Sequence, residues 1–318
     1  MPLFLARRMF RALLLVVIVS SAALLLVHLA PGDSLDRFGS DPAAASAERA
    51  RLGFDRPFLE QYASWLSRTA RLDFGESTHF RRPVVSLLAE RVPRTLLLGL
   101  SALVLAIGLG IPLGVSVGAA PGRWSSRMIS AVSMLLVSVP PLIMSLVLLL
   151  IAVRTGWLPA GGLGPPLDAG ASFAERALLT LRALILPTLA IALPLAAVVE
   201  RLQSAAIREA LREPCVRAAL ARGVPRRRAV WSHALRLSLK PVLAVLGVVV
   251  GSVLSGSFVV EIVMLWPGVG DLMYHALFSR DIYLAAGCAA SASVALASGV
   301  LLADIALAAA DPRIREAE

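Results

Sequence analysis

Charge is scarce in this chain. Of its 318 residues only 16% are Asp, Glu, Lys or Arg, against about 25% in soluble domains. Cysteine is nearly absent, with Cys215 and Cys288 alone. One falls in a polar loop and the other in an apolar run, so no disulfide joins them on this reading and a disulfide-stapled scaffold is excluded. The four histidines, His28, His79, His233 and His275, are scattered and fit no metal-ligand spacing. No metal or other cofactor is expected. There is no G-x-x-x-x-G-K-[ST] loop to cradle a nucleotide phosphate, no H-E-x-x-H and no G-x-S-x-G. Serines inside the apolar runs have no His or Lys nearby. Catalysis of those kinds is not carried by these residues, and the chain is not expected to be an enzyme.

Apolar length is what the chain has in plenty. Hydrophobic residues make up 58%, and the mean hydropathy is +0.78. Six runs approach the roughly 20 residues a helix needs to cross the hydrocarbon. They are Met9–Leu29, Thr95–Ala119, Met128–Val153, Leu181–Val199, Val242–Leu265 and Tyr283–Ala308. Barrel strands would alternate every second residue over about ten positions, and these runs do not. The expected fold is all-α, a polytopic membrane protein with six transmembrane helices. The first run follows Arg7, Arg8 and Arg11 as a signal peptide would. Its apolar core is long and no small-x-small cleavage site precedes Pro31, so it reads as a retained helix.

Charge distribution orients the helices. With the N-terminus inside, segments 1–11, 120–128, 200–240 and 309–318 hold 17 Lys/Arg against 6 Asp/Glu. The opposite segments, counted with Arg182 and Glu261, hold 14 of each. This positive-inside bias places both termini in the cytoplasm. Topology accounts for the basic balance better than nucleic acid does, since no aromatic-basic or zinc-finger pattern is present. The chain then reads as a tail and first helix (1–29), an external region (30–94), a helical core (95–308) containing a cytoplasmic loop (200–240), and a tail (309–318).

The external region opens on a "PGD" turn at Pro31–Asp33 and contains two candidate short helices, Ala43–Arg51 and Pro57–Leu72. Phe58, Tyr62 and Trp65 recur at helical spacing. Two readings fit them: a small core or membrane hold, and a docking surface for an external partner. Residues 155–180, rich in Gly and Pro, read as irregular cover.

The cytoplasmic loop Glu200–Lys240 is more specific. It carries 10 basic and 3 acidic residues. Pro214 can open a helix, "PCVRAALAR", with Gly223 as its C-cap. A second helix, Arg226–Leu239, leads to the fifth span. The basic loop fits an anchor on anionic lipid. The short Ala-rich helix fits close approach by a partner surface at least as well. Within the spans, Gly110, Gly114 and Gly118 lie four apart, and Gly247 and Gly251 repeat the step; such stripes pack helices closely in lipid. Pro112, Pro140, Pro141, Pro187 and Pro194 break or kink spans two to four. Glu261 is expected near enough to the outer interface to reach water. Asp304 lies deeper, expected either at the inner interface or against an arginine of the cytoplasmic loop. No acid or His accompanies it at its own depth, which argues against a proton relay. A secondary transporter is the alternative reading, and it would need such coupling groups.

In their order along the chain these segments resemble the permease subunit of ABC importers of the dipeptide/oligopeptide class. The resemblance is carried by "FLARRMFRALLLVVIVS", "LAPGD" (Leu29–Asp33), "RLGFDRPFLEQYASWL" (Arg51–Leu66), "LDFGES" (Leu72–Ser77), "RVPRTLLLGL" (Arg91–Leu100) and "GIPLGV" (Gly110–Val115). It continues through "CVRAALARGVPRRRAVWSHALRLSLKPVL" (Cys215–Leu243), "VVEIVMLWPGVGDLMYHALFSRDIYL" (Val259–Leu284) and "DPRIR" (Asp311–Arg315). It covers nearly the whole chain. Pro214 and Cys215 stand where the family usually has an acidic and an aromatic residue. The resemblance implies an ATPase-docking segment at Cys215, Val216, Arg217, Ala218, Ala219, Arg222 and Gly223. It also implies a type I importer fold, a bacterial inner-membrane location, a second homologous permease subunit, two cytoplasmic ATPase subunits and an external solute-binding protein. The energy source would then lie in another subunit. Ser138, Ser252 and Ser255 are the polar sites of spans three and five worth testing as pathway-lining residues.

Overall fold

The computed structural model describes residues 2–29, 46, 51, 55, 57–69, 71–162 and 172–310. The "PGD" turn, nearly all of the helix expected over Ala43–Arg51, the middle of the Gly/Pro-rich loop and the "DPRIR" tail lie outside the described residues. Among those described, the chain is helical, with one isolated β-bridge between Glu76 and Pro83. Four helices are long and apolar enough to cross a membrane, and six spans result if each of two bent pairs counts as one.

The helices run in order: α1 (Pro2–Leu29), α2 (Phe58–Thr69), α3 (Val84–Ala119), α4 (Trp124–Ser138), α5 (Pro141–Thr155), α6 (Phe173–Ala210), α7 (Pro214–Ala221), α8 (Arg226–Ala244), α9 (Leu246–Val263), α10 (Val269–Phe278) and α11 (Ile282–Ala310). Two of the expected spans are broken. The third is α4 and α5, bent by 106°. Its cause is local: Pro140 and Pro141 have no N–H to give the preceding turn, and Pro140 also pushes Val139 to extended backbone. The fifth comprises α8 and α9, bent by 55°. α3 and α6 overrun their expected spans. α6 begins with a reciprocal cap, in which Ser172 Oγ accepts from the Glu175 N–H at 3.3 Å and Glu175 Oε2 accepts from the Ser172 N–H at 2.8 Å. It carries Pro187 and Pro194 without ending.

The chain divides into two compact units. The larger is Met1–Arg8, Leu96–Trp266 and Ser298–Glu318. Its centre is α6, whose apolar middle stretch is 67% buried. Leu98, Ala102 and Ala106 of α3 pack on Ala190 and Ile191 of α6, with Val253 of α9 in the same cluster. Ser101 and Thr188 hydroxyls meet at 2.8 Å across the two helices. Beyond them α3 comes close to the α6 backbone. A methyl at Gly110 would stand 2.8 Å from the Ala196 carbonyl oxygen, one at Gly114 2.6 Å from that of Glu200, and one at Gly118 2.5 Å from that of Ser204. Gly247 is looser, with Val300 at ordinary contact distance; Gly251 is half-buried on α9. Asp304 pairs with Arg8 of α1, so its partner is on the first helix, where the cytoplasmic loop was one of the two expectations.

The smaller unit is Met9–Thr95 and Pro267–Ala297. Trp65, Leu87, Leu272 and Leu284 form its core. Tyr62 packs against that core, with its hydroxyl 2.7 Å from Ser21 Oγ. Trp65 and Tyr62 therefore serve the inside of the unit, which corresponds to the first of the two readings of these aromatics. Asp281 is fully buried at the start of α11. Its carboxylate accepts from Ser77 Oγ (2.6 Å), the His79 N–H (3.0 Å) and the Leu284 N–H (3.1 Å). It caps the helix and holds the turn after "LDFGES" in one set of bonds. In the same unit, Arg91 of α3 meets Asp271 of α10 at 3.1 Å.

The glycine contacts give a paired test. Gly114→Ala places a methyl against backbone, which the helices can accommodate only by separating, and overpacking of that kind costs about 1–3 kcal/mol. Gly108→Ala meets nothing within 4 Å and gains about 1 kcal/mol of helix propensity. The thermal midpoint of the detergent-solubilised protein should fall for the first variant and hold or rise for the second.

Candidate functional site

α7 is a helix of eight residues held between two longer ones. Pro141 and Pro214 use the same device, a proline in the first turn where no intrahelical donor is lost. The other end is closed by two backbone bonds, Gly223 N–H to Leu220 O (3.0 Å) and Val224 N–H to Ala219 O (3.1 Å). That pairing is a Schellman motif and it places Gly223 in the left-handed region, with φ of +84°. A methyl there would meet nothing within 4 Å. Glycine is therefore favoured at Gly223 by backbone conformation and not by crowding.

The two faces of α7 differ. Val216 and Ala219, three apart, are buried with Ala229, Val230 and Ala234 of α8, Ile207 of α6 and Val115 of α3. Cys215, Arg217, Ala218, Leu220 and Arg222 are exposed, as is Gly223. Cys215, Ala218 and Arg222 recur at helical spacing and make one outward stripe. Arg222 folds back so that Nε donates to the Ala218 carbonyl at 3.3 Å. Of the seven residues singled out in the sequence, then, Val216 and Ala219 hold the helix down, Gly223 ends it, and the other four face out.

The seating of α7 depends on α8. Residues Ala229–Ala234 form a widened π turn, and its alanines supply the flat surface under Val216 and Ala219. Arg226 at the start of α8 donates from Nη2 to the Ala119 carbonyl at the end of α3 (3.0 Å). Gln203 of α6 donates to Ser238 of α8 at 2.7 Å in a buried bond. α7 is thus tied through α8 to both α3 and α6.

One charged residue in this region was missed by the sequence reading. The sequence places Glu200 at the start of a cytoplasmic loop, yet it is 1% exposed on α6, which runs on to Ala210. Neither of its carboxylate oxygens has a hydrogen-bond partner among the described residues, and Gln203 Oε1 has none either. The signal was its position on the inward face, four residues after Ala196 and three before Gln203. Glu261, expected to reach water, is fully buried instead. It lies in the last turn of α9.

A cleft of about 420 Å³ opens in the larger unit where the bent spans meet α6. Ser138, Pro140, Pro194, Val198, Val248 and Ser252 are among its lining residues, and Ser255 is not. No charged side chain lines it. Ser138 and Ser252 donate to carbonyls of their own helices, Met134 at 2.9 Å and Val248 at 3.0 Å. No group of three or more His, Cys, Asp or Glu able to hold a metal occurs among the described residues. Cys215 is exposed and Cys288 buried, and neither is in a disulfide.

The described residues form an all-helical core with candidate membrane spans and a short helix, exposed on one face, seated between two of them. Residues 110–316 match the family model of the binding-protein-dependent transport system inner membrane component, and residues 1–99 match the model of that component's N-terminal part. The chain belongs to this family. It is 32% identical over 297 residues to a putative peptide permease protein of Brucella ovis, covering 91% of this chain and 92% of the relative. It is 30% identical to the oligopeptide transport system permease protein AppB of Bacillus subtilis, with 99% of each chain covered. It is 32% identical to the oligopeptide transport system permease protein OppB of Mycobacterium bovis, with 98% of each covered.

Glu200 gives the prediction for this region. Glu200→Gln keeps the shape and replaces one unmet acceptor by an amide donor, three residues before the unmet Gln203 oxygen. A buried unsatisfied group costs about 1–3 kcal/mol, so the thermal midpoint should rise by roughly 2 °C or more. A scan of the purified variant against the parent chain measures it.

Proposed function

We propose that this permease subunit forms half of the solute pathway of an ATP-driven ABC importer for peptides, and that α7 is the element on which an ATPase subunit docks. The observation that carries the reading is the two-sidedness of α7: an inward face packed on α6 and α8, and an outward stripe of Cys215, Ala218 and Arg222. A short helix buried on one side and locked at both ends passes on a push without bending. Small side chains at Cys215 and Ala218 admit a close surface, and Arg222 offers a charge-assisted hydrogen bond at its rim.

The complex on this reading holds a second, homologous permease subunit, two cytoplasmic ATPase subunits and an external solute-binding protein. Both termini of the chain face the cytoplasm, in keeping with the charge bias. The peptide substrate class follows the relatives, whose names speak of peptide and oligopeptide transport. The uncharged cleft at Ser138 and Ser252 is this subunit's share of the pathway. Its side chains offer little to tell one peptide from another, and selection falls chiefly to the binding protein. Approach of the two ATPases on binding ATP moves both α7 helices. α8, bonded to α6 through Gln203 and Ser238, carries the motion into the bent spans.

Ala218→Glu sets a carboxylate in the middle of the outward stripe without touching the core of the subunit. Co-purification of the ATPase should fall by about thirtyfold, the loss typical of a central interface residue, while the variant elutes as the parent does. Cys215 should react with a maleimide in the isolated subunit and be protected in the complex. Undiminished co-purification together with unprotected Cys215 would overturn the docking role.

A further inference from the structure

The arginines beside the docking helix are arranged in a way that coupling does not require. Arg226 reaches the Ala119 carbonyl at 3.0 Å, which brings the start of α8 to the turn between α3 and α4. Arg123, Arg127, Arg227 and Arg228 are exposed around this junction. Residues 119–131 and 222–233 contain no Asp or Glu. Two tryptophans belong to the same segments, Trp124 at 75% exposure and Trp231 at 44%.

This placement works against the isolated helices. Arg123 and Arg127 flank the start of α4, and Arg226, Arg227 and Arg228 form the first turn of α8. Cations there oppose the helix dipole. Their mutual repulsion adds to that cost, and no acid in either segment offsets it. The position within the fold supplies the missing partner. α3 ends and α4 begins at this junction, and both belong to candidate membrane spans. The patch therefore lies where hydrocarbon gives way to headgroups. Tryptophan is enriched at that level, since its ring sits among acyl chains while its N–H remains wet. Basic clusters at the same level attract anionic lipid, with about 1 kcal/mol from each Lys or Arg.

We infer that Arg123, Arg127, Arg227 and Arg228, flanked by Trp124 and Trp231, form a binding site for anionic phospholipid headgroups at the membrane surface beside the docking helix. The inference rests on the proposed cytoplasmic placement of this loop. The ATPase is the competing occupant. The outward stripe of α7 already serves that role in the proposed function, and the exposed tryptophans suit a lipid boundary. A lipid bound here bridges the α3–α4 turn and the start of α8, the two segments that Arg226 already links. It steadies the base on which α7 is seated.

The test uses the full importer complex purified in micelles of detergent with equal parts phosphatidylcholine and phosphatidylglycerol. Lipid retained after detergent exchange is counted by mass spectrometry, and ATPase content is measured in the same sample. Phosphatidylglycerol should be enriched over phosphatidylcholine on the parent complex, and the enrichment should fall as salt rises. Replacing Arg123, Arg127, Arg227 and Arg228 by Gln should weaken retention by about fivefold for each arginine removed, down to background, with ATPase content unchanged. Equal retention of both lipids by the parent complex, or enrichment indifferent to salt, overturns the inference. So does a variant that loses ATPase while keeping its phosphatidylglycerol. If Ala218→Glu strips the ATPase and phosphatidylglycerol remains bound, the lipid site stands and is separate from docking. If the parent complex enriches phosphatidylglycerol but Ala218→Glu leaves the ATPase in place, the docking reading fails by itself.

Discussion

The larger unit depends on how closely α3 can approach α6. Lipid supplies no hydrophobic drive between helices, since the tails are as apolar as the side chains. What holds two spans together is contact at short range, with polar pairs where they can be satisfied. Gly110, Gly114 and Gly118 remove the side chains that would keep the backbones apart, and the Ser101–Thr188 hydroxyl pair lies further along the same seam. The consequence reaches the site. Ala119 ends α3 just past the last of these glycines, and its carbonyl holds Arg226. Were α3 to stand further off, the start of α8 would lose this anchor, and with it the alanine surface on which α7 sits.

Rigidity and freedom are unevenly distributed along the chain. α7 is closed by a proline at one end and a Schellman motif at the other, with its inner face fully packed. Two of the spans, by contrast, are broken, one by 106° at Pro140 and Pro141 and one by 55° after Ala244. A stiff helix attached to bent ones localises motion at the bends. Prolines cost about 3 kcal/mol in an unbroken helix, but at a break they cost little, because the hydrogen bonds they lack are already absent. Pro187 and Pro194 show the contrasting case, since α6 runs straight through both. Burial on α6 is dense enough to hold the helix together there.

Much of this was legible in the sequence because it rests on local chemistry. The six apolar runs, the opening of α7 at Pro214 and the turn at Gly223 each follow from a residue's own backbone or from composition over a short window. The glycine stripe on α3 could be read as a packing face, but its partner could not, because spacing along one helix says nothing about which other helix it meets. The same limit explains Glu200. Its neighbours in sequence are an apolar span and a basic loop, and only the fold shows that α6 continues buried past the expected boundary. Asp304 was visible as an intramembrane acid, while the choice of Arg8 over the loop arginines came from the packing of α1. Asp281 went unremarked because each of its donors, Ser77, His79 and Leu284, is ordinary in isolation. Within α7, exposure decided what the motif left open: Ala219 is a seat and Ala218 is a surface.

The polar side chains also separate by task. Those that hold structure are paired inside it: Asp281 with three donors, Arg91 with Asp271, Arg8 with Asp304 and Gln203 with Ser238. The cleft, by contrast, is lined by Val, Leu, Ile and Pro, and its two serines turn their hydroxyls back to their own helices. A pathway that bonded its solute firmly would hold it, and every hydrogen bond made there would have to be broken before release. An apolar lining with its hydroxyls already engaged offers a solute few hydrogen bonds to break. The cost is poor discrimination, because an uncharged surface of this kind distinguishes side chains by little more than size. On the proposed function, selectivity is then exercised before the solute enters, and the driving force comes from elsewhere in the complex. On the same reading, the surfaces that meet protein partners lie at the ends of the spans, and the cleft between them meets the solute with an uncharged lining.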